Sequence, residues 1–198
     1  MARPREFDEA VVLEAAIQCF WMHGYEATSV RHLAAQMGIT GASLYNAFGD
    51  KRALYQRALV HYRENGFDAR VARIESQAMP PQRAIGEFFK DIIERSLGDP
   101  EHKGCLLVNA ALEPAPHDEA CKALASDFLN SAEGFFLRCL NAGQANGSIS
   151  HTQSAEDLAR LLLAVLLGIR VLARSRPERA LLEGIVRPVW ALLDVPRH

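Results

Sequence analysis

Between positions 40 and 46 the chain reads Thr40-Gly41-Ala42-Ser43-Leu44-Tyr45-Asn46, a run of small and hydrogen-bonding side chains with no acidic group. With Leu44 turned inward on a short helix, Thr40, Ala42, Ser43, Tyr45 and Asn46 form one outward face. Such a face suits a major groove about 12 Å wide, where hydroxyl, phenol and amide groups reach base edges and phosphates. Cations are placed to help. Arg3 and Arg5 precede the first helix as a short arm, Arg31 stands near the start of the second, and Lys51 opens a helix whose free backbone N–H groups also point outward. The same spacing also fits a helix corner packed for stability alone.

A second group of residues carries thiol chemistry. Cys105 follows Gly104 at the expected start of a short helix, with His102 and Lys103 close in sequence. A helix N-terminus and a neighbouring cation both favour the thiolate, which marks Cys105 as a sensor candidate; the alternative is an inert thiol that packs the helix. Cys121 and Cys139 have weaker claims, and Cys19 falls on the core face of the first helix. His117 and Cys121, four residues apart, could join His102 and Cys105 in a tetrahedral metal set if the two pairs met in space. A thiol-dependent enzyme built on Cys105 and a histidine is a further alternative. No glycine-rich phosphate loop, HExxH or GxSxG accompanies it, and no third residue is evident to orient a base. No catalytic residue, bound metal or cofactor is therefore expected.

The elements that must position these groups read as helices throughout, because no segment alternates apolar and polar residues between hairpin turns. Phe7, Val11, Ala15 and Cys19 recur every four residues to a stop at Gly24. Thr28 or Ser29 then caps a short helix bearing Val30, Leu33, Ala34 and Met37, and Gly38 ends it. Ala34, Gly38, Ile39 and Leu44 have the spacing of a helix-turn-helix, in which a small residue lets two helices touch and a glycine permits the turn. Asp50 caps the next helix, from Lys51 toward Ala72, loosened at Asn65-Gly66. Further helices span Pro81 to Leu97, Cys105 to Leu112, His117 to about Ala142, Ser154 to Arg174, and from Pro177 to Leu193. The fold class is all-α, with about nine helices.

Residues 7 to 59 resemble the N-terminal domain of TetR/AcrR-type bacterial transcriptional regulators. The likeness is an ordered series: Ala15, Cys19-Phe20, Gly24-Tyr25 and Thr28-Ser29-Val30, then Leu33-Ala34 and Gly38-Ile39, then Ser43-Leu44-Tyr45, Phe48, Lys51 and Leu54. By this resemblance Thr28, Thr40, Ser43, Tyr45 and Lys51 occupy DNA-contact positions, Tyr45 and Lys51 as phosphate anchors and Thr40 to Ser43 nearest the bases. Many members of the family carry a basic residue where Gly41 stands and a histidine where Ala47 stands, so Gly41 offers only backbone to a phosphate or thymine methyl. The resemblance implies a helix-turn-helix domain over residues 1–52 and an effector-binding and dimerisation domain over 53–198. It also implies a double-stranded DNA operator and an unidentified small-molecule effector as partners, and a repressor as the function.

Composition agrees without deciding. The 198 residues are 49% hydrophobic with 22 Lys+Arg against 24 Asp+Glu, so a net charge of −2 excludes a polybasic protein and the apolar fraction excludes disorder. The first nine residues lack the apolar core of a secretory signal, and the most apolar run, Leu158 to Leu172, is too short to span a bilayer that needs about 20 residues. A cytoplasmic protein with reduced cysteines and no membrane partner is expected. The helix over 154–174 is apolar on more than one side and needs cover beyond one core. The helix over 178–193 is its natural partner in a two-fold four-helix bundle that would make a homodimer. Phe88, Phe89, Leu106, Leu107, Phe128, Phe135 and Phe136 are candidates for the apolar lining of an effector cavity.

Overall fold

A computed structural model describes residues 7–194, and every regular element among them is helical. The N-terminal unit consists of α1 (Glu9–His23), α2 (Val30–Gln36) and α3 (Gly41–Phe48). From it α4 (Lys51–Arg63) runs through a π turn (Glu64–Asp68) into α5 (Ala69–Ser76). There follow α6 (Pro81–Leu97), α7 (Leu106–Leu112), a 3-10 turn (Ala115–His117), α8 (Glu119–Ala145), α9 (Ala155–Ser175) and α10 (Arg179–Leu193). The loosening expected at Asn65-Gly66 is the π turn; with residues 51–76 taken as one rod, nine rods make up the described chain, as expected.

The boundaries follow local chemistry. Asp8, Ser29, Thr40, Asp50, Asp118 and Ser154 each accept a hydrogen bond from a backbone N–H in the first turn of the helix they precede, which satisfies donors that have no partner within the helix. At the other ends Gly24 and Gly38 take φ of +80° and +65°, values that a side chain would oppose.

Two packing arrangements position the functional groups. Leu54, Tyr55, Ala58 and Leu59 of α4 are buried against Val12, Ala16 and Phe20 of α1, with the Phe20 and Tyr55 rings edge to face at 4.8 Å. Farther along, α8 packs on α6, α7 and α9, and Phe88, Phe89, Phe135 and Phe136 fill the space between α6 and α8 with ring centroids 5.1–5.9 Å apart. On the outside, α9 and α10 leave Leu161, Val171 and Leu192 38%, 51% and 42% exposed. No helix among the described residues is long and apolar enough to cross a membrane.

Candidate nucleic-acid interface and effector cavity

The turn between α2 and α3 is closed by Met37 N–H donating to Leu33 O at 2.8 Å and Ile39 N–H to Ala34 O at 3.1 Å. Leu33, Ala34, Leu44 and Phe48 are buried in the core, Phe48 stacked on Phe7 and covered by Arg57 of α4, which fixes the rotation of α3. The outward side then presents Thr40, Ala42, Tyr45 and Asn46, with Tyr45 54% exposed. Gly41 and Ser43 are half-buried, and Ser43 is tied to Thr40: its N–H donates to Thr40 Oγ1 at 3.1 Å and the two hydroxyls lie 2.9 Å apart. Arg31 is exposed on α2.

Two of the expected contact residues, Thr28 and Lys51, have side chains engaged within the N-terminal unit. Thr28 is 1% exposed and its hydroxyl donates to Gly24 O at 2.6 Å, so the side chain holds the α1–α2 turn and does not face a duplex. Lys51 stays at the start of α4, but its Nζ donates to Tyr25 O at 3.0 Å and lies 4.2 Å from the centre of the Tyr25 ring; it braces the same turn. Arg3 and Arg5 lie outside the described residues.

The N-terminal unit is tied to the rest of the chain by contacts that no local pattern announces. Glu113, the C-cap of α7, accepts from Tyr25 N–H at 3.1 Å and Glu26 N–H at 2.9 Å. Trp21 Nε1 donates to Lys103 O at 3.0 Å. Arg52 makes two hydrogen bonds to Asp118, one of them at 2.9 Å. The Arg52 guanidinium, helped by two backbone N–H groups of α8, holds the Asp118 carboxyl down at about 2. A lowered folded pKa means that the charge stabilises the fold above the ordinary carboxylate range, and that this contribution disappears as pH falls from 3.8 toward 2. We therefore expect Asp118→Asn to melt below the wild type near neutral pH, and the gap to close over that interval; melting curves at stepped pH measure it.

Between the two regions lies a cavity of about 580 Å³, walled by Trp21 of α1, Tyr62 of α4, Phe67 of the π turn, α6, α7 and α9. Of the residues expected to line it, Phe88, Leu107 and Phe128 do. Phe89, Leu106, Phe135 and Phe136 do not, being committed to helix packing elsewhere.

Cys105 lies in this wall as the N-cap of α7, but its expected cation is absent. Lys103 Nζ is held by Asp99 at 2.8 Å and Glu101 at 2.7 Å. In its place stand Tyr62, whose hydroxyl donates to Cys105 Sγ across 3.9 Å, and Arg170 of α9, whose positive charge acts on the thiol. Arg170 Nη2 also donates to Tyr62 Oη at 3.1 Å and Nη1 to Ser96 Oγ at 3.1 Å. Burial pushes the Cys121 and Cys139 thiols up to about 11 and raises that of Cys19. These three are poor nucleophiles at neutral pH. His102, Cys105, His117 and Cys121 do not converge: among the described residues no three histidine, cysteine or acidic side chains form a group that could hold a metal. The sequence singled out Cys105 and missed Trp21, Tyr62 and Arg170; only Arg170, a charge within the apolar run over 158–172, carried a signal.

Residues 12–58 match the family model described as bacterial regulatory proteins, tetR family, and residues 81–187 match the tetracyclin repressor-like C-terminal domain. The chain belongs to the TetR family. It is 32% identical to the uncharacterized HTH-type transcriptional regulator YezE of Bacillus subtilis (strain 168), covering 98% of this chain and all of that one. It is 26% identical to the HTH-type transcriptional repressor ComR of Escherichia coli (strain K12), over 93% of this chain and 87% of ComR. Among solved structures it resembles a cysteine-substituted form of the TetR family transcriptional regulator CifR complexed with 26 base pairs of double-strand operator DNA. That likeness has a TM-score of 0.84 and 33% identity, over 96% of this chain and 99% of CifR. This TetR-family regulator thus carries both parts of the family's architecture, with the exposed, acid-free face of α3 in the N-terminal part.

Proposed function

We propose that the chain is a homodimeric repressor that seats the α3 helix of each protomer in the major groove of an operator. The observation that carries the reading is the face of Thr40, Ala42, Tyr45 and Asn46, held outward by Leu44 and Phe48 and free of acidic groups; the similarity to CifR in complex with operator DNA supports it. Tyr45 anchors a phosphate, Thr40, Gly41, Ala42, Ser43 and Asn46 lie toward the bases, and Arg31, Lys51 and the arm with Arg3 and Arg5 supply positive charge. Dimerisation through α9 and α10 covers Leu161, Val171 and Leu192. Two symmetric reading heads then sit about 34 Å apart, one helical turn, or a multiple of that. Residues 1–52 read DNA and 53–198 sense and dimerise, α4 joining the two.

The effector enters the cavity and acts by differential affinity for two arrangements of the dimer. The route is short: Cys105 begins α7, Glu113 ends it, and Glu113 holds the α1–α2 turn, while Lys103 O holds Trp21. A shift of α7 therefore tilts the reading head. The Cys105 thiol, beside a guanidinium and a phenol, is the group through which an electrophile reports. In a binding assay on DNA flanking the protein's own gene, N-ethylmaleimide is expected to lower operator affinity at least tenfold. Cys105→Ser is expected to bind the operator and ignore the reagent. Release of Cys105→Ser by the reagent would move the sensing elsewhere, and no preference for this DNA over scrambled sequence would count against the repressor.

A further inference from the structure

Arg170 is a guanidinium set in the apolar stretch of α9, one residue after the buried Ile169 and three before the buried Ala173. Its side-chain hydrogen-bond partners are neutral groups, Ser96 Oγ and Tyr62 Oη at 3.1 Å each. No ion pair joins it to a carboxylate among the described residues, whereas the other deep cations of the cavity are compensated: Arg70 by Asp91, and Lys103 by Asp99 and Glu101. Arg170 is itself half-buried, and a charge partly withdrawn from water without a counter-charge carries a cost that an arriving anion offsets. Arg70, Arg95, Lys103 and Arg170 line the cavity against Glu14 and Asp99, and Asp91 beneath it is shared by Arg70, Arg73 and Arg95. The wall also carries a group of apolar side chains, Phe67, Phe88, Phe128, Leu107 and Leu166, beside the polar Gln18, His61 and Asn65.

We infer that the cavity is a receptor for an amphipathic carboxylate, its head group on Arg170, Tyr62 and Ser96 and its hydrocarbon against the phenylalanines. Two of the five guanidinium N–H groups are engaged by Ser96 and Tyr62, which leaves donors for a carboxylate. The Tyr62 and Ser96 hydroxyls can turn their hydrogens toward the same oxygens. A space of this volume is in the range of small-molecule sites. The inference rests on reading the cavity as the effector site, and it makes Arg170 the determinant of ligand charge.

The test compares octanoate with octanamide, which has the same hydrocarbon tail and a neutral head, by calorimetry and by the fluorescence of Trp21 in the cavity wall. The full-length wild type is expected to bind octanoate about tenfold to a hundredfold more tightly than octanamide, the range of a charge-assisted hydrogen bond in a desolvated site. Arg170→Gln is expected to erase the preference by weakening octanoate far more than octanamide, and Cys105→Ser to keep it. If Arg170→Gln does not give a cooperative melt, Arg170→Lys serves; it is expected to retain the charge preference in weakened form, because it lacks the planar fork. Equal affinity of the wild type for the two probes overturns the inference, as does a preference that survives Arg170→Gln. Operator binding is measured in parallel. Its absence beside an intact carboxylate preference would overturn the repressor reading alone, and its presence without the preference would overturn this inference alone.

Discussion

Tyr45→Phe is expected to weaken operator binding about a hundredfold at fixed salt. The phenol oxygen is the only atom lost, the ring stays on the exposed side of α3, and neither Leu44 nor Phe48 beneath it is disturbed. A hydrogen bond to a charged phosphate is worth about 1.5 kcal/mol or more, and a symmetric dimer loses two. Because the phenol carries no charge, the dependence of affinity on salt should not change. Lys51→Met is the complementary substitution. It removes one cation per protomer and is expected to lower the magnitude of the log–log salt slope by about 2 for the dimer, with a smaller loss of sequence preference. Lys51 also braces Tyr25 O, so its melting curve accompanies the binding curve. Fluorescence anisotropy from low to moderate salt reads both effects. An unchanged affinity for Tyr45→Phe would remove Tyr45 from the interface.

The largest stability effect is expected at Phe136. Its side chain is fully buried, stacked on Phe89 with centroids 5.4 Å apart and an interplanar angle of 12°, and meets Phe88 edge-on at 5.2 Å. Truncation leaves a ring-sized void between α6 and α8 that the neighbouring rings, locked against one another, cannot close. Phe136→Ala should therefore cost about 3–5 kcal/mol. For a chain of this size that lowers the melting temperature by roughly 6–20 °C, compared at equal protein concentration because the proposed dimer would add to stability. Phe136 does not line the cavity, so the folded variant is expected to keep its response to effector. A shift of only a degree or two would mean that the cluster is not the rigid body described.

Local signals carried most of the architecture. Each of Asp8, Ser29, Thr40, Asp50 and Ser154 precedes an apolar run with helical spacing, and each forms the cap that its chemistry favours. Gly24 and Gly38 mark the turns on either side of α2. The reading face of α3 was legible because burying Leu44 and Phe48 leaves one orientation for the residues between them. Long-range pairings were not. Nothing in the sequence says that Arg52 meets Asp118, or that Glu113 reaches back 88 residues to Tyr25. The surroundings of Cys105 failed for the same reason: Lys103 is its neighbour along the chain, but two nearer carboxylates claim the ammonium. The cation that reaches the sulfur comes from α9, whose rotation is set by packing against α8. Thr28 illustrates a different limit, since a threonine in a turn satisfies a buried carbonyl or an external phosphate equally well.

Footprinting of the protein on the DNA flanking its own gene, with protein and salt both titrated, is the decisive measurement. Two reading heads on one dimer predict two protected half-sites related by an inverted repeat, their centres one helical turn or a whole multiple apart, lost together when Tyr45 is replaced. Protection that shows no sequence preference over scrambled DNA, or a single unpaired half-site, would contradict the account.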